Sequence, residues 1–213
     1  MSGLLLSLEG GEASGKSEQA RRLNEWLIIQ GRTSLVVHDP GSTPLGERVR
    51  EILLHAREIP LAENTQALLF SAARAQLVRD VVAPALAAGS VVILDRFFDS
   101  TLAYQGAGHG ADRAGLEAIT RFAVGDVRPD RTFLLDVPVE VATARRGRGD
   151  GRTWDRFEAD AQAFHQRVRD GYLRLAADEP GRFVVVAADR DKAAVAEDIR
   201  REVEPLLGTL RAP

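Results

Sequence analysis

Five short apolar runs punctuate the chain, at residues 4–8, 35–37, 91–94, 132–135 and 183–186. Each is continuous rather than alternating, the pattern of strands buried on both faces of a parallel sheet. Stretches with helical spacing lie between them. Ala20, Leu23 and Leu27 open the first, with Trp26 beside them. Leu68, Ala72, Ala75 and Val78 mark the apolar face of a long helix, expected to break near Pro84 and to stop at Gly89. Phe164, Val168, Tyr172 and Leu175 mark another helix, and Val195, Ile199 and Val203 the last. Strand and helix alternating from end to end predict βαβ units with right-handed crossovers, hence a three-layer α/β fold.

Several strands run directly into an acid: Glu9, Asp39, Asp95 and Asp136. Ligands in open α/β sheets bind beyond the carboxyl ends of the strands, so these acids are candidates, although Asp136 reads best as a plain strand end. Residues 145–152, Arg-Arg-Gly-Arg-Gly-Asp-Gly-Arg, are too glycine-rich for a packed helix. They predict a mobile loop whose four arginines repel one another until an anion arrives.

Composition narrows the class. With 213 residues, 45% hydrophobic and 28% charged, the chain can bury a sizeable core. It is read as one domain over residues 1–213. No run approaches the ~20 apolar residues of a membrane helix, and the first residues lack the basic start of a signal peptide. The absence of cysteine excludes a disulfide scaffold, a thiolate metal site and a cysteine nucleophile. A soluble, cytoplasmic protein is expected. The net charge of −3 argues against broad binding to nucleic acid. Of 28 basic residues only Lys16 and Lys192 are lysine, so Lys16 calls for a local reason.

That reason lies in Gly10-Gly11-Glu12-Ala13-Ser14-Gly15-Lys16-Ser17, which fits the phosphate-binding pattern G-x-x-x-x-G-K-[ST] between the first strand and the first helix. The glycines let successive N–H groups curl around phosphate oxygens, and the helix adds its positive end. Lys16, expected to face solvent from the loop, would reach the β- and γ-phosphates, and Ser17 would ligate Mg²⁺. Asp95 follows the third strand and would reach the same ion, while Arg96 beside it would hold a second phosphate. That pairing suits a phosphate acceptor better than water. The standard guanine reader Asn-Lys-x-Asp is absent, because neither asparagine, Asn24 or Asn64, precedes a lysine.

The segment Asp95-Arg96-Phe97…Ser100-Thr101-Leu102-Ala103-Tyr104-Gln105-Gly106 resembles the Asp-Arg-Tyr…Ala-Tyr-Gln signature of thymidylate kinases, which phosphorylate dTMP to dTDP. Residues 39–50, from Asp39-Pro40-Gly41 to Arg50, residues 68–76 around Phe70 and Arg74, and Asp155-Arg156-Phe157-Glu158 resemble further blocks of that family. The likeness spans about residues 4–175. It implies a P-loop kinase fold, a five-stranded parallel sheet between helices with an arginine-rich lid at about residues 145–153. It also implies ATP as donor, Mg²⁺ as cofactor and a homodimer.

By the same resemblance, Phe70 stacks on thymine, Arg74 bonds the base edge, and Thr101 and Gln105 read its remaining polar atoms. Tyr104 lies against the deoxyribose and Glu12 faces the 3′-hydroxyl. Arg50 and Arg96 hold the acceptor phosphate, with Asp39 and Ser100 counted in the same site. Arg148 and Arg152, ranked above Arg145 and Arg146, neutralise charge on the transferring group. The chain departs from the family in carrying His38-Asp39 where others have Arg-Glu, and a neutral imidazole is a weaker phosphate clamp. Its phosphate loop has Ala13-Ser14 where one branch carries an arginine, a charge the lid would supply instead. Left open are a kinase for another small acceptor, such as a deoxynucleoside or a different monophosphate, and a nucleotide-dependent switch ATPase.

Overall fold

The computed structural model describes residues 3–56, 59–147 and 156–208. All five apolar runs are strands: β1 (Leu4–Glu9), β2 (Ser34–His38), β3 (Val91–Asp95), β4 (Arg131–Asp136) and β5 (Phe183–Ala187). They form one parallel sheet in the order β2-β3-β1-β4-β5. Burial on both faces holds for the inner strands only. Val36 and Val185 are exposed, because β2 and β5 form the rims of the sheet.

Alternation along β1 assigns its residues to two different layers. Leu4, Leu6 and Leu8 pack against Ala20, Leu23 and Leu27 of α1 (Lys16–Ile29) and Val195, Ile199 and Val203 of α9 (Lys192–Leu207). Leu5 packs on the opposite face with Leu77, Val82, Leu86 and Phe97. Ser7 and Glu9 share that second face, so the last residue of β1 is a buried carboxylate under the segment that follows β3. The second layer is completed by α8 (Arg156–Asp178), whose Val168, Tyr172 and Leu175 cover Leu134 of β4.

The long helix after residue 60 differs from its expected form in two ways. Its first part, α3 (Glu63–Leu77), turns Leu68 and Ala72 to solvent and buries Ala67, Ser71, Arg74 and Leu77. Of the expected stripe only Val78, just beyond α3, is fully buried, and the buried face of α3 carries two polar residues, Ser71 and Arg74, the latter held by Asp39 and Thr101. The helix also passes Pro84 without breaking. A π-helical turn, Val78–Val82, leads into α4 (Ala83–Ala87), where Pro84 occupies the first turn and its missing N–H costs little. Gly89, at φ +82°, stops it as expected.

Three further helices complete the layers: α2 (Pro44–Leu54), capped by Thr43; α6 (Arg113–Val124), capped by Asp112; and α7 (Val139–Gly147). Because α7 runs through Gly147, Arg145 stands on a helix and not in the expected loop. Arg148 and Arg152 lie outside the described residues. After β3, a short α5 (Phe98–Thr101) continues into a second π-helical segment, Leu102–Gly108. Gly108 is pressed so close to α8 that a Cβ there would lie 2.6 Å from Phe164. Asp136, at the end of β4, is gripped by both ends of the Arg169 fork at 2.7 and 2.8 Å, which ties α8 to the sheet.

Candidate active site

The phosphate loop leaves β1 through Gly10, whose φ of +137° suits only glycine and whose Cβ would lie 2.5 Å from the Leu135 carbonyl. Gly15, at φ +94°, caps α1 without any side-chain hydrogen bond. The first N–H groups of the helix are therefore left for an anion. Lys16 does not face solvent. It is buried, and its Nζ donates to the carbonyls of Gly10 (3.1 Å) and Gly11 (2.7 Å) and to Ser14 Oγ (3.1 Å). Burial, aided by the nearby Arg96 guanidinium, pushes its ammonium down to about 7 against the pull of Asp95, Glu9 and Glu12.

Ser17, in the first turn of α1, donates its hydroxyl proton to Asp95 Oδ2 at 2.5 Å. These are two hard oxygens at the mouth of the loop, the kind of donor set Mg²⁺ takes from a protein when phosphates complete its shell. Among the described residues no group of three or more acids and histidines could hold a metal unaided, which fits an ion brought in with a nucleotide. The residues present thus suit Mg²⁺.

Beside the loop opens a cavity of about 360 Å³. Every residue that the resemblance assigned to the acceptor lines it: Glu12, Asp39, Arg50, Phe70, Arg74, Arg96, Ser100, Thr101, Tyr104 and Gln105. They come from the phosphate loop, the β2–α2 connection, α2, α3 and the segment after β3. Arg74 is buried, donates from Nε to Asp39 Oδ2 (2.5 Å) and from Nη2 to Thr101 Oγ1 (3.0 Å), and keeps Nη1 without a partner. An unpaired buried donor beside a cavity is costly until an acceptor arrives. Asp39 serves here by holding Arg74. Arg50 is held by the Pro40 carbonyl at 3.0 Å. His38, at the position of the family arginine, spends its ring on Glu47 Oε1 (3.0 Å) and Ser42 Oγ (3.2 Å) and does not line the cavity.

His109, which no local pattern singles out, lines the cavity and packs on Phe164 with ring centroids 4.6 Å apart. Two other residues, Glu9 and Tyr172, were read only as a candidate acid at a strand end and as an apolar helix position. Glu9 accepts the Phe97 N–H (2.7 Å), Ser100 Oγ (2.7 Å) and Tyr172 OH (2.9 Å). Arg96, held at φ +71°, donates to Gly10 O, Ser100 Oγ, Tyr172 OH and Tyr104 OH at 3.1 to 3.3 Å. A signal existed in the i, i+2 spacing of Ser7 and Glu9, which placed both on one buried face. At the far side of the loop, Arg145 donates to the carbonyls of Ala13 (3.2 Å) and Ala188 (2.9 Å).

Burial, with Asp99 adding to it, raises the Glu9 carboxyl from 4.5 to about 7, against the lowering by Ser100 and Arg96. The folded protein therefore keeps a proton here, between pH 4.5 and about 7, that the unfolded chain has lost. Stability from this group falls as pH rises through that window. Glu9→Gln has no such proton to lose. The melting temperature of Glu9→Gln relative to the parent is expected to climb from pH 5 to pH 8, and a pH-independent difference would contradict the assignment.

Comparison with known proteins came out as follows. The family model described as thymidylate kinase matches residues 8–199. The thymidylate kinase of Alcanivorax borkumensis is 45% identical over 206 residues, covering 97% of this chain and 98% of that protein. That of Ralstonia nicotianae is also 45% identical, over 99% and 100% of the two chains. That of Clavibacter sepedonicus is 43% identical, with 97% of each covered.

Proposed function

Since the chain belongs to the thymidylate kinase family, it transfers the γ-phosphoryl group of ATP to dTMP, and we propose that dTMP occupies the cavity beside the phosphate loop. The observation that carries this placement is the union of base-reading and phosphate-holding groups in one cavity, with Glu12 of the phosphate loop in its wall. Phe70 offers a stacking face, while Arg74, Thr101 and Gln105 offer polar atoms at its edge. Tyr104 lines the sugar and Glu12 meets its 3′-hydroxyl. Arg96 and Arg50 hold the acceptor phosphate.

An acceptor phosphate oxygen attacks the γ-phosphorus, the bond to the β–γ bridging oxygen breaks, and ADP leaves with that oxygen. The acceptor is anionic near neutral pH and needs no strong base, so positioning and charge neutralisation do the work. Lys16 exchanges its loop carbonyls for the β- and γ-phosphates, which restores its full charge where it is needed. Ser17 and Asp95 would hold Mg²⁺, which when bound would supply positive charge to neutralise the phosphates of ATP. Arg96 aligns the attacking group. Arg148 and Arg152 supply the charge that Ala13-Ser14 in the loop lacks. The sequence supports this reading by placing an excess of arginine there.

We further propose that the protein works as one domain in the cytoplasm and as a homodimer. No helix among the described residues is long and apolar enough to cross a membrane. The neighbouring helices α2, α3 and α6 expose Ile52, Leu68 and Phe122, apolar side chains that a second copy would cover.

An ADP-release assay with a panel of acceptors tests the function. dTMP should support the fastest turnover. Faster reaction with dCMP or thymidine would select a kinase for another acceptor, and ATP turnover indifferent to any monophosphate would select a switch ATPase. Phe70 gives a sharper test of the base site. Phe70→Ala is expected to raise the KM for dTMP roughly tenfold, the lower end of base–aromatic stacking energies, and to leave the KM for ATP unchanged. Unchanged dTMP affinity combined with a sharp loss of thermal stability would make Phe70 a core residue instead.

A further inference from the structure

Arg96 is unusual among the cavity residues. Its backbone sits at φ +71°, in the left-handed region that non-glycine side chains avoid. Such a conformation persists only where the surroundings over-determine it. The constraint comes from below, where Glu9 Oε1 accepts the N–H of Phe97, the peptide that follows Arg96. The other oxygen, Oε2, is within reach of Ser100 Oγ and Tyr172 OH, and these two hydroxyls are themselves 2.8 Å apart.

Each hydroxyl has one proton. Either both protons go to Oε2, or one hydroxyl donates to the other and that one to Oε2. With Glu9 ionised, above its raised pKa of about 7, the protons run toward the carboxylate in every arrangement, and lone pairs remain for Arg96 Nη1, which donates to both oxygens. A glutamine in place of Glu9 would bring an N–H₂ to one of these positions. The hydroxyls would then turn and aim protons at a guanidinium, which has donors only.

We propose that Glu9 is a positioning residue for phosphoryl transfer, fixing both the backbone and the guanidinium of Arg96 toward the acceptor phosphate through Phe97, Ser100 and Tyr172. Tyr172 belongs to α8, so that helix too helps to hold Arg96. The inference rests on the reading that Arg96 holds the acceptor phosphate.

A double-mutant cycle on turnover kinetics separates the two ideas. Glu9→Gln should raise the KM for dTMP about tenfold, the scale of one lost charge-assisted hydrogen bond, and leave the KM for ATP within about twofold. Arg96→Ala should raise it further. The double variant should be no worse than Arg96→Ala alone, because Glu9 acts only through that arginine. Multiplying effects, or an unchanged dTMP KM in folded Glu9→Gln, would overturn the proposal while leaving Arg96 in its role. An unchanged dTMP KM in Arg96→Ala would overturn the reading beneath it. Should Glu9→Gln fail to fold, Tyr172→Phe carries the same cycle, since it removes one hydroxyl and keeps the ring. It is expected to raise the dTMP KM about threefold, and no change there would count against Glu9.

Discussion

A Lys16→Ala protein is expected to fold like its parent and to transfer phosphate on the order of a hundredfold more slowly, or worse. Transfer places charge on oxygens that the ammonium alone among the loop side chains can neutralise. Folding should be spared for a specific reason. The buried ammonium is held under protest, its proton affinity lowered to about 7, so its removal relieves a cost as it deletes three hydrogen bonds. The melting temperature should therefore move by a few degrees at most. Initial-rate ADP release with saturating dTMP checks the first part and calorimetry the second. Turnover near that of the parent would remove Lys16 from the donor site.

The second large effect concerns stability and recognition together. Arg74 and Asp39 have side chains 1% and 0% exposed and meet at 2.5 Å. Removing one member of a buried pair strands the other, at about 3–5 kcal/mol. Arg74→Met should accordingly lower the melting temperature by roughly 10 °C, taking ~2–4 °C per kcal/mol for a chain of this size. Replacing both members by apolar residues of similar volume is often neutral, so Arg74→Met with Asp39→Leu should recover most of that loss. It should not recover dTMP binding, because the unpaired Nη1 is gone in both variants. A double variant with parental dTMP affinity would show that Arg74 serves the fold alone. A single variant as stable as the parent would show that the pair contributes nothing.

This pair also marks the limit of what the chain discloses before folding. The strands and the phosphate loop were legible because their signals are local: apolar runs of three to five residues, and a glycine spacing that fits one use. The acceptor residues were legible only through blocks of sequence resembling a family. Hydrophobic spacing turned Leu68 and Ala72 of α3 inward, since nothing local marks Arg74 for burial: its partners arrive from the residue after β2 and from the segment after β3. Pro84 looked like a break because nothing local announces a widened turn. Glu9 read as one candidate acid among four, with no role assigned, because its partners stand 88, 91 and 163 residues away.

The π-helical segment Leu102–Gly108 bears on how this chain can change over generations. Such a segment is an α-helix with one residue too many in a turn. Loss of a single codon there would tighten it into an α-helix and rotate everything beyond the deletion by about 100° relative to Phe98–Thr101. Tyr104 and Gln105 would then leave their places beside Ser100 and Thr101. The seat of Gly108 against Phe164 would fall to a residue with a side chain or to empty space. Insertions and deletions are ordinarily tolerated where helices join loops. Here the register of the helix itself carries the site, so related chains should vary in the identity of these residues far more readily than in their number.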